Sequence, residues 1–292
     1  MLSIVVQVAL GVAAVCLVWL ALDRRARAVV AERGGAAARA WRRWRGRVRP
    51  RHPVVLVHGM MGFDKLGFGG TSAEYFRGVA AHLRGLGIAV FVARLPPLSG
   101  VRARALALAR YVESIESKRV NVIAHSMGGI DARYAIAKLG LRKKVASLTT
   151  IGTPHRGTPL ADGGARVLGS LGLPRLAGVL GLDFSACDDL TVARMARFNA
   201  EVEDASGVFY GSVVAAAGGG PTRVHPLLVP THRLLATRAG DNDGIVPFES
   251  QRWGVVVAQV ETDHWGPIGW SLEFDAPALY VRLARELAER GY

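Results

Sequence analysis

The chain has 292 residues, half of them hydrophobic, with a formal net charge of +14 and a sequence pI near 10.7. That apolar content excludes a disordered chain and supports one globular domain of about 240 residues behind an amino-terminal extension. Of the two cysteines, Cys16 sits in an apolar run and Cys187 far beyond it, which excludes a disulfide framework.

Residues 2–22 are apolar except for Ser3 and Gln7. A bilayer core takes roughly 20 apolar residues in helical form, so residues 1–22 are expected to be a transmembrane anchor. A cleaved secretory signal fits less well. Nothing basic precedes Leu2, and the small-x-small site Ala26-Arg27-Ala28 lies inside an Arg-rich run. A helix packed on a folded domain would show a polar face, and this one has none. Residues 23–52 follow as an Arg-rich juxtamembrane linker with 11 Arg and 2 acids, net +9 of the chain's +14. The charge therefore lies beside the span rather than over a folded face. This points to anionic lipid, at about 1 kcal/mol per Lys or Arg, and away from nucleic acid as a partner. Trp41 and Trp44, interleaved with Arg, suit the headgroup layer. By the positive-inside rule, the expected localisation is a single-pass inner-membrane protein with the domain at residues 53–292 in the cytoplasm.

Pro53 to Gly62 (PVVLVHGMMG) reads as a buried strand, Val54–Val57, ending in a Gly-containing loop in which His58 is expected to act as a brace. A helix over Ala73–Leu86, a strand over Ile88–Ala93 and a helix over Arg102–Ser117 follow. The run Val120–Ala124 then ends abruptly at His125-Ser126-Met127-Gly128-Gly129, before a helix over Gly128–Leu139. A Ser at a sharp strand-to-helix turn exposes its hydroxyl above the sheet, with the next N–H pointing the same way. Ala124 stands where the usual small-residue pattern has Gly. Taken alone, Ser126 reads equally as a helix cap.

A strand at Leu148–Ile151 precedes an interval, residues 159–220, that breaks the alternation. Rich in Gly and Leu, it reads as a lid or cap of short apolar helices. A strand over Leu234–Thr237 leads to Gly240-Asp241-Asn242-Asp243-Gly244-Ile245-Val246. Another over Val255–Val260 leads to Asp263-His264, and a helix over Pro277–Arg290 closes the chain. A Ser hydroxyl needs a His base, and that His needs a carboxylate to fix its tautomer. Ser126, Asp243 and His264 meet that need in chain order. Asp241 competes with Asp243, which is preferred because Gly and an apolar pair follow it. Both read equally as turn residues, Asp263 as a cap, and His264 as a loop histidine. The N–H groups of Met60 and Met127 are the candidate donors to an oxyanion. The remaining histidines are scattered without metal-ligand spacing, so no metal or cofactor is expected. The alternation predicts an α/β fold, a mostly parallel sheet with helices on both faces.

Three blocks, Pro53–Lys65, Val120–Tyr134 and Ala146–Gly157, together with Asn242–Val246 and Asp263-His264, make the chain similar to the bacterial triacylglycerol lipases of the α/β-hydrolase superfamily. The resemblance implies Ser126 as nucleophile, Asp243 as acid, His264 as base, Met60 and Met127 as oxyanion donors, and a mobile lid after Thr153–Gly157. Many such lipases hold a structural calcium through two Asp residues. Here Trp265 and Gly266 follow His264, and no Asp lies between Val213 and Leu235. The expected function is a serine carboxylic-ester hydrolase acting on lipid or other acyl esters. A phospholipase, thioesterase or lipid-linked deacylase would use the same residues, and a noncatalytic membrane scaffold would use none of them.

Overall fold

The computed structural model describes residues 48–292 except 63–64, 69–70, 171–184, 219–223 and 272. The proposed anchor, residues 1–22, and nearly all of the linker lie outside the described residues. Among the described residues no helix is long and apolar enough to cross a membrane. The chain divides into two units, Met1–Arg47 with Gly67–Ser72, and Val48–Leu66 with Ala73–Tyr292. Strands β2 (Lys65–Phe68) and β3 (Thr71–Glu74) pair as a separate two-stranded sheet.

The larger unit is built on six strands: β1 (Val54–Val57), β4 (Val90–Val92), β5 (Val120–His125), β6 (Val145–Ile151), β7 (Phe209–Ala215) and β8 (Val255–Val260). They lie in the order β4-β1-β5-β6-β7-β8, every pair parallel. Parallel neighbours need crossover connections, and these coat both faces of the sheet. Hence β1, β5 and β6 are buried at every position, whereas the edge strand β8 leaves Val255 and Val256 exposed. On one face Val55, Val57, Val122 and Ala124 form a core with Leu108 and Val112 of α2 (Val101–Glu113) and Ala132 and Ile136 of α3 (Gly128–Lys138). Alternation turns Val54 and Leu56 to the other face. Helix α1 (Val79–Gly85) packs against the last helix, α9 (Ala276–Glu289), which follows the short α8 (Phe248–Gln251) in the chain. Phe76, just before α1, meets Tyr280 of α9 edge to face, with ring centroids 6.1 Å apart.

From β1 the chain moves outward to β4, then returns to lay β5 on the opposite side of β1. Strand order reverses between β1 and β5, so their carboxyl ends open the crevice where such sheets bind ligands.

Three expectations are corrected. Leu234–Thr237 is not a strand but part of helix α7 (Val229–Ala239). Pro230 fits a first helical turn, where its missing N–H is unused. Leu228 and Leu235 are buried seven residues apart while Leu234 is exposed, a helical stripe rather than an alternation. The strand that occupies this place in the sheet is β7, inside the interval expected to be lid. The excursion is thus confined to residues 159–208. It holds α4 (Pro159–Ser170), α5 (Ala186–Asp189) and α6 (Val192–Glu201), with α4 packed on α5, α6 and α7. Finally, Thr71–Glu74 is extended, and the helix expected from Ala73 begins at Val79.

Candidate active site

Strand β5 delivers Ser126 at φ +55°, in the left-handed region that side chains rarely adopt. The strain is held by neighbours. The Ser126 N–H donates to the Ile151 carbonyl at 2.9 Å, and its carbonyl accepts from Thr153 Oγ1 at 2.7 Å and from the Gly129 N–H at 3.1 Å. A strained residue held this firmly is a mark of function. The loop after β1 crosses so close that a Cβ on Gly59 would lie 2.7 Å from Ser126 Cβ. Gly129 is equally constrained, since a Cβ there would lie 2.4 Å from Thr153 Oγ1.

Asp243 and His264 come from the loops after α7 and β8. His264 Nε2 lies 3.0 Å from Ser126 Oγ, and its Nδ1 lies 2.7 Å from Asp243 Oδ2. With the carboxylate accepting, Nδ1–H donates to Asp243 and Nε2 is left to accept from the Ser126 hydroxyl. Asp243 is fully buried, and its other oxygen accepts from the N–H groups of Ile245 (2.9 Å) and Val246 (2.7 Å). The His264 N–H donates to the Asp243 carbonyl at 2.7 Å, tying the two loops together. Asp241 is exposed, so of the two carboxylates Asp243 is the one facing His264. Asp263 does not cap α9, a role taken by Asp275. Its Oδ1 instead accepts from the N–H groups of Trp265 (3.0 Å) and Gly266 (2.9 Å), and its Oδ2 from that of His225 (2.7 Å), fixing the loop around His264.

Met60 and Met127 flank Ser126 from the two loops. Among the described residues neither main-chain N–H has an acceptor, although Met127 is fully buried. Buried N–H groups are nearly always paired, and the unpaired one of Met127 directly follows Ser126 in the chain. His58 braces this loop as expected. Its Nδ1 lies 2.8 Å from the Gly59 carbonyl, and its Nε2 accepts from the Leu95 N–H at 3.0 Å.

Sequence reasoning missed several supporting residues. Fully buried Arg104 donates to the carbonyls of His58 (2.8 Å), Gly59 (3.2 Å) and Pro96 (2.8 Å), and to Asp131 Oδ2 at 2.8 Å. Its signal was an Arg on the apolar face that Val101, Ala105 and Leu108 define in α2. Burial pushes the Asp131 carboxyl up to about 7, against the pull of Arg104. Tyr75 and His125 also line the rear of the site. Among the described residues no group of His, Cys, Asp or Glu is disposed to hold a metal ion.

The fold and this constellation define the class: a serine hydrolase of the α/β-hydrolase architecture. Residues 106–167 match the PGAP1-like alpha/beta domain. The chain is 28% identical over 308 residues to Triacylglycerol lipase 2 of Saccharomyces cerevisiae, covering 83% of this chain and 93% of that one. It is 30% identical over 236 residues to the triacylglycerol lipase of Pseudomonas fragi, covering 77% and 67%. The crystal structure of a metagenomic carboxyl esterase superposes with a TM-score of 0.69 at 23% identity, covering 82% of this chain and 76% of that one. The chain belongs to the triacylglycerol lipase family, and it is an enzyme of the lipase/esterase type.

Proposed function

We propose that this enzyme hydrolyses carboxylic esters of lipids through Ser126, His264 and Asp243. Ser126 Oγ attacks the ester carbonyl carbon as its proton passes to His264 Nε2. The carbonyl oxygen becomes an oxyanion held by the N–H groups of Met60 and Met127. His264 then gives the proton to the departing alcohol, leaving an acyl-Ser126. Water, deprotonated by the same Nε2, releases the acid and restores the hydroxyl. Asp243 holds the imidazole in the tautomer that leaves Nε2 free. The reading rests on one observation, the unbroken line from Asp243 Oδ2 through His264 to a strained Ser126.

The apolar run at residues 2–22 and the Arg-rich residues 23–52 support a substrate that lives in a membrane, with the enzyme anchored beside anionic lipid and facing the cytoplasm. The helices of residues 159–208 act as the cap over the acyl chain. Triacylglycerol is the substrate named for the yeast and Pseudomonas relatives, and glycerides are proposed here by that likeness.

Ser126→Ala should lower p-nitrophenyl ester turnover by at least about 10³-fold and abolish fluorophosphonate labelling, with an unchanged melting temperature. A folded Ser126→Ala protein with parental activity would sink the mechanism. Turnover of phospholipid or thioester in preference to glyceride would move the substrate class while keeping the same residues.

A further inference from the structure

A second hydrogen-bonded line lies behind the first, and the mechanism above makes no use of it. The Tyr75 phenol oxygen accepts from the Gly59 N–H at 3.1 Å and lies 2.7 Å from His125 Nδ1. His125 Nε2 lies 2.9 Å from the main-chain carbonyl of His264. Only one polarity satisfies the three contacts. A carbonyl can only accept, so Nε2 carries the His125 proton, and the bare Nδ1 accepts from the Tyr75 O–H. The environment agrees. Burial lowers the His125 pKa far below its ordinary value and raises that of the Tyr75 phenol, so the ring stays neutral and the phenol protonated. The His125 and His264 rings sit 4.6 Å apart, centroid to centroid.

The ends of this line matter more than its middle. Gly59 immediately precedes Met60, the proposed oxyanion donor, and its would-be Cβ abuts Ser126. The carbonyl at the far end belongs to the proposed base. Met60 and His264 arrive from distant parts of the chain, after β1 and after β8. Apart from this line, each is fixed by its own set of contacts, Arg104 and His58 on one side and Asp263 on the other.

We propose that Tyr75 and His125 are positioning residues that hold the oxyanion loop and the His264 main chain in one register, so that donor and base serve the same acyl carbonyl, the donor at its oxygen and the base at the attacking Ser126 hydroxyl. The proposal rests on the assignment of Ser126, His264 and Met60 given above.

The test uses the full chain and compares Tyr75→Phe, His125→Asn and the double variant. Phe keeps the ring and loses the oxygen. Asn keeps an acceptor near the Nδ1 position but falls short of the His264 carbonyl. Each single change breaks the same line, so each should lower kcat for p-nitrophenyl butyrate about tenfold at constant KM. The double variant should lose no more than the worse single. Fluorophosphonate labelling should slow by the same factor, because it needs the base and the oxyanion donors together. A purely structural role would lower melting temperatures while leaving kcat of the folded protein intact. Folded single variants with kcat within about twofold of the parent, or losses that multiply in the double variant, would overturn the proposal. Histidine-labelled ¹⁵N NMR of the parent decides the matter even if the variants fail to fold. His125 should appear as a neutral Nε2–H tautomer that does not titrate between about pH 5 and pH 8. An Nδ1–H tautomer, or a titrating ring, would reverse the polarity and end the proposal. Ser126→Ala separates the two levels. Activity there defeats the catalytic assignment, whereas an inactive Ser126→Ala beside a fully active Tyr75→Phe defeats only the positioning role.

Discussion

The turn that carries Ser126 and the arm that carries Asp243 and His264 serve one constellation, yet they are held by different physics. The turn is local. A strand buried along its whole length runs into a helix, and packing leaves no room for a Cβ at Gly59 or Gly129. The arm is long-range. Its two loops enter from α7 and β8 and are fixed by carboxylates that collect main-chain N–H groups, Asp243 from Ile245 and Val246, and Asp263 from His225, Trp265 and Gly266. Steric fit places Ser126, and polar satisfaction places Asp243 and His264.

The hardest way to break the turn is Gly129→Ala. The new methyl would lie 2.4 Å from Thr153 Oγ1 and 2.7 Å from Thr153 Cγ2, displacing the hydroxyl that holds the Ser126 carbonyl. Overpacking of this kind costs about 1–3 kcal/mol, and misplacing a nucleophile by an ångström costs about 10²-fold in rate. Urea unfolding should show the first loss and kcat for p-nitrophenyl butyrate the second. A variant with parental kcat would mean that the turn is not sterically set.

The same contrast governs what the sequence could reveal. Strands β1, β5, β6 and β8 were legible as apolar runs, and Ser126 was legible because its geometry is written in adjacent residues. Strand β7 is not, since Gly211 and Ser212 interrupt its apolar pattern, whereas Leu234–Thr237 reads as a strand although its apolar pair belongs to a helix. Chain order points to Asp243 and His264, the Gly and apolar pair that follow favour Asp243 over Asp241, and in the structure Asp241 is exposed while Asp243 is buried against His264. Tyr75 gave no signal at all. It lies in a stretch expected to be helical, and its partners are 16 and 50 residues away.

Acid should weaken the molecule through two buried histidines, one beside Ser126 and one after β6. His125 has its contacts above. His155 Nε2 lies 3.0 Å from Thr150 Oγ1 and its Nδ1 lies 3.4 Å from Arg133 Nη1. Burial holds both pKa values well below 6.5, with His264 adding to the effect at His125, and Arg133 and Arg156 at His155. As pH falls below about 6.5 the unfolded chain binds protons that the folded one refuses, so each histidine removes about 1.4 kcal/mol per pH unit. The stabilisation is complete above that pH. Asp131 works in reverse, because its raised pKa lets the folded state keep a proton as pH falls from about 7 towards 4. Asp131 thus offsets one of the two losses, and the lowered pKa values of His52 and His225 add to the fall, which is at least about 1.4 kcal/mol per unit. Urea unfolding between about pH 6.5 and pH 5 should show it, and His125→Asn should flatten it by about the same amount. An unchanged slope in that variant would place the protonation elsewhere.

The smallest effect sharpens the comparison by repeating the same chemical change outside the turn. Gly163 sits within α4, exposed, with nothing within 4 Å of a would-be Cβ. Gly163→Ala should therefore stabilise by about 0.5–1 kcal/mol, through lower backbone entropy in the unfolded chain. Thermal melts should rise by a few degrees at most, and p-nitrophenyl butyrate turnover should stay at the parental value. Emulsified long-chain ester is the more searching substrate. If α4 is a fixed wall, stiffening it leaves that turnover unchanged as well. If α4 must unwind or swing to admit the acyl chain, as a lid does, the added helix propensity resists the motion, and turnover of the long-chain ester falls while that of the short ester holds. Asp162, one residue earlier, already ties α4 to α6 by accepting from the Val192 N–H at 3.1 Å. Any movement of α4 must therefore carry α6 with it or break that bond, so Asp162→Ala should speed the long-chain reaction selectively if the helix moves and leave it alone if it does not.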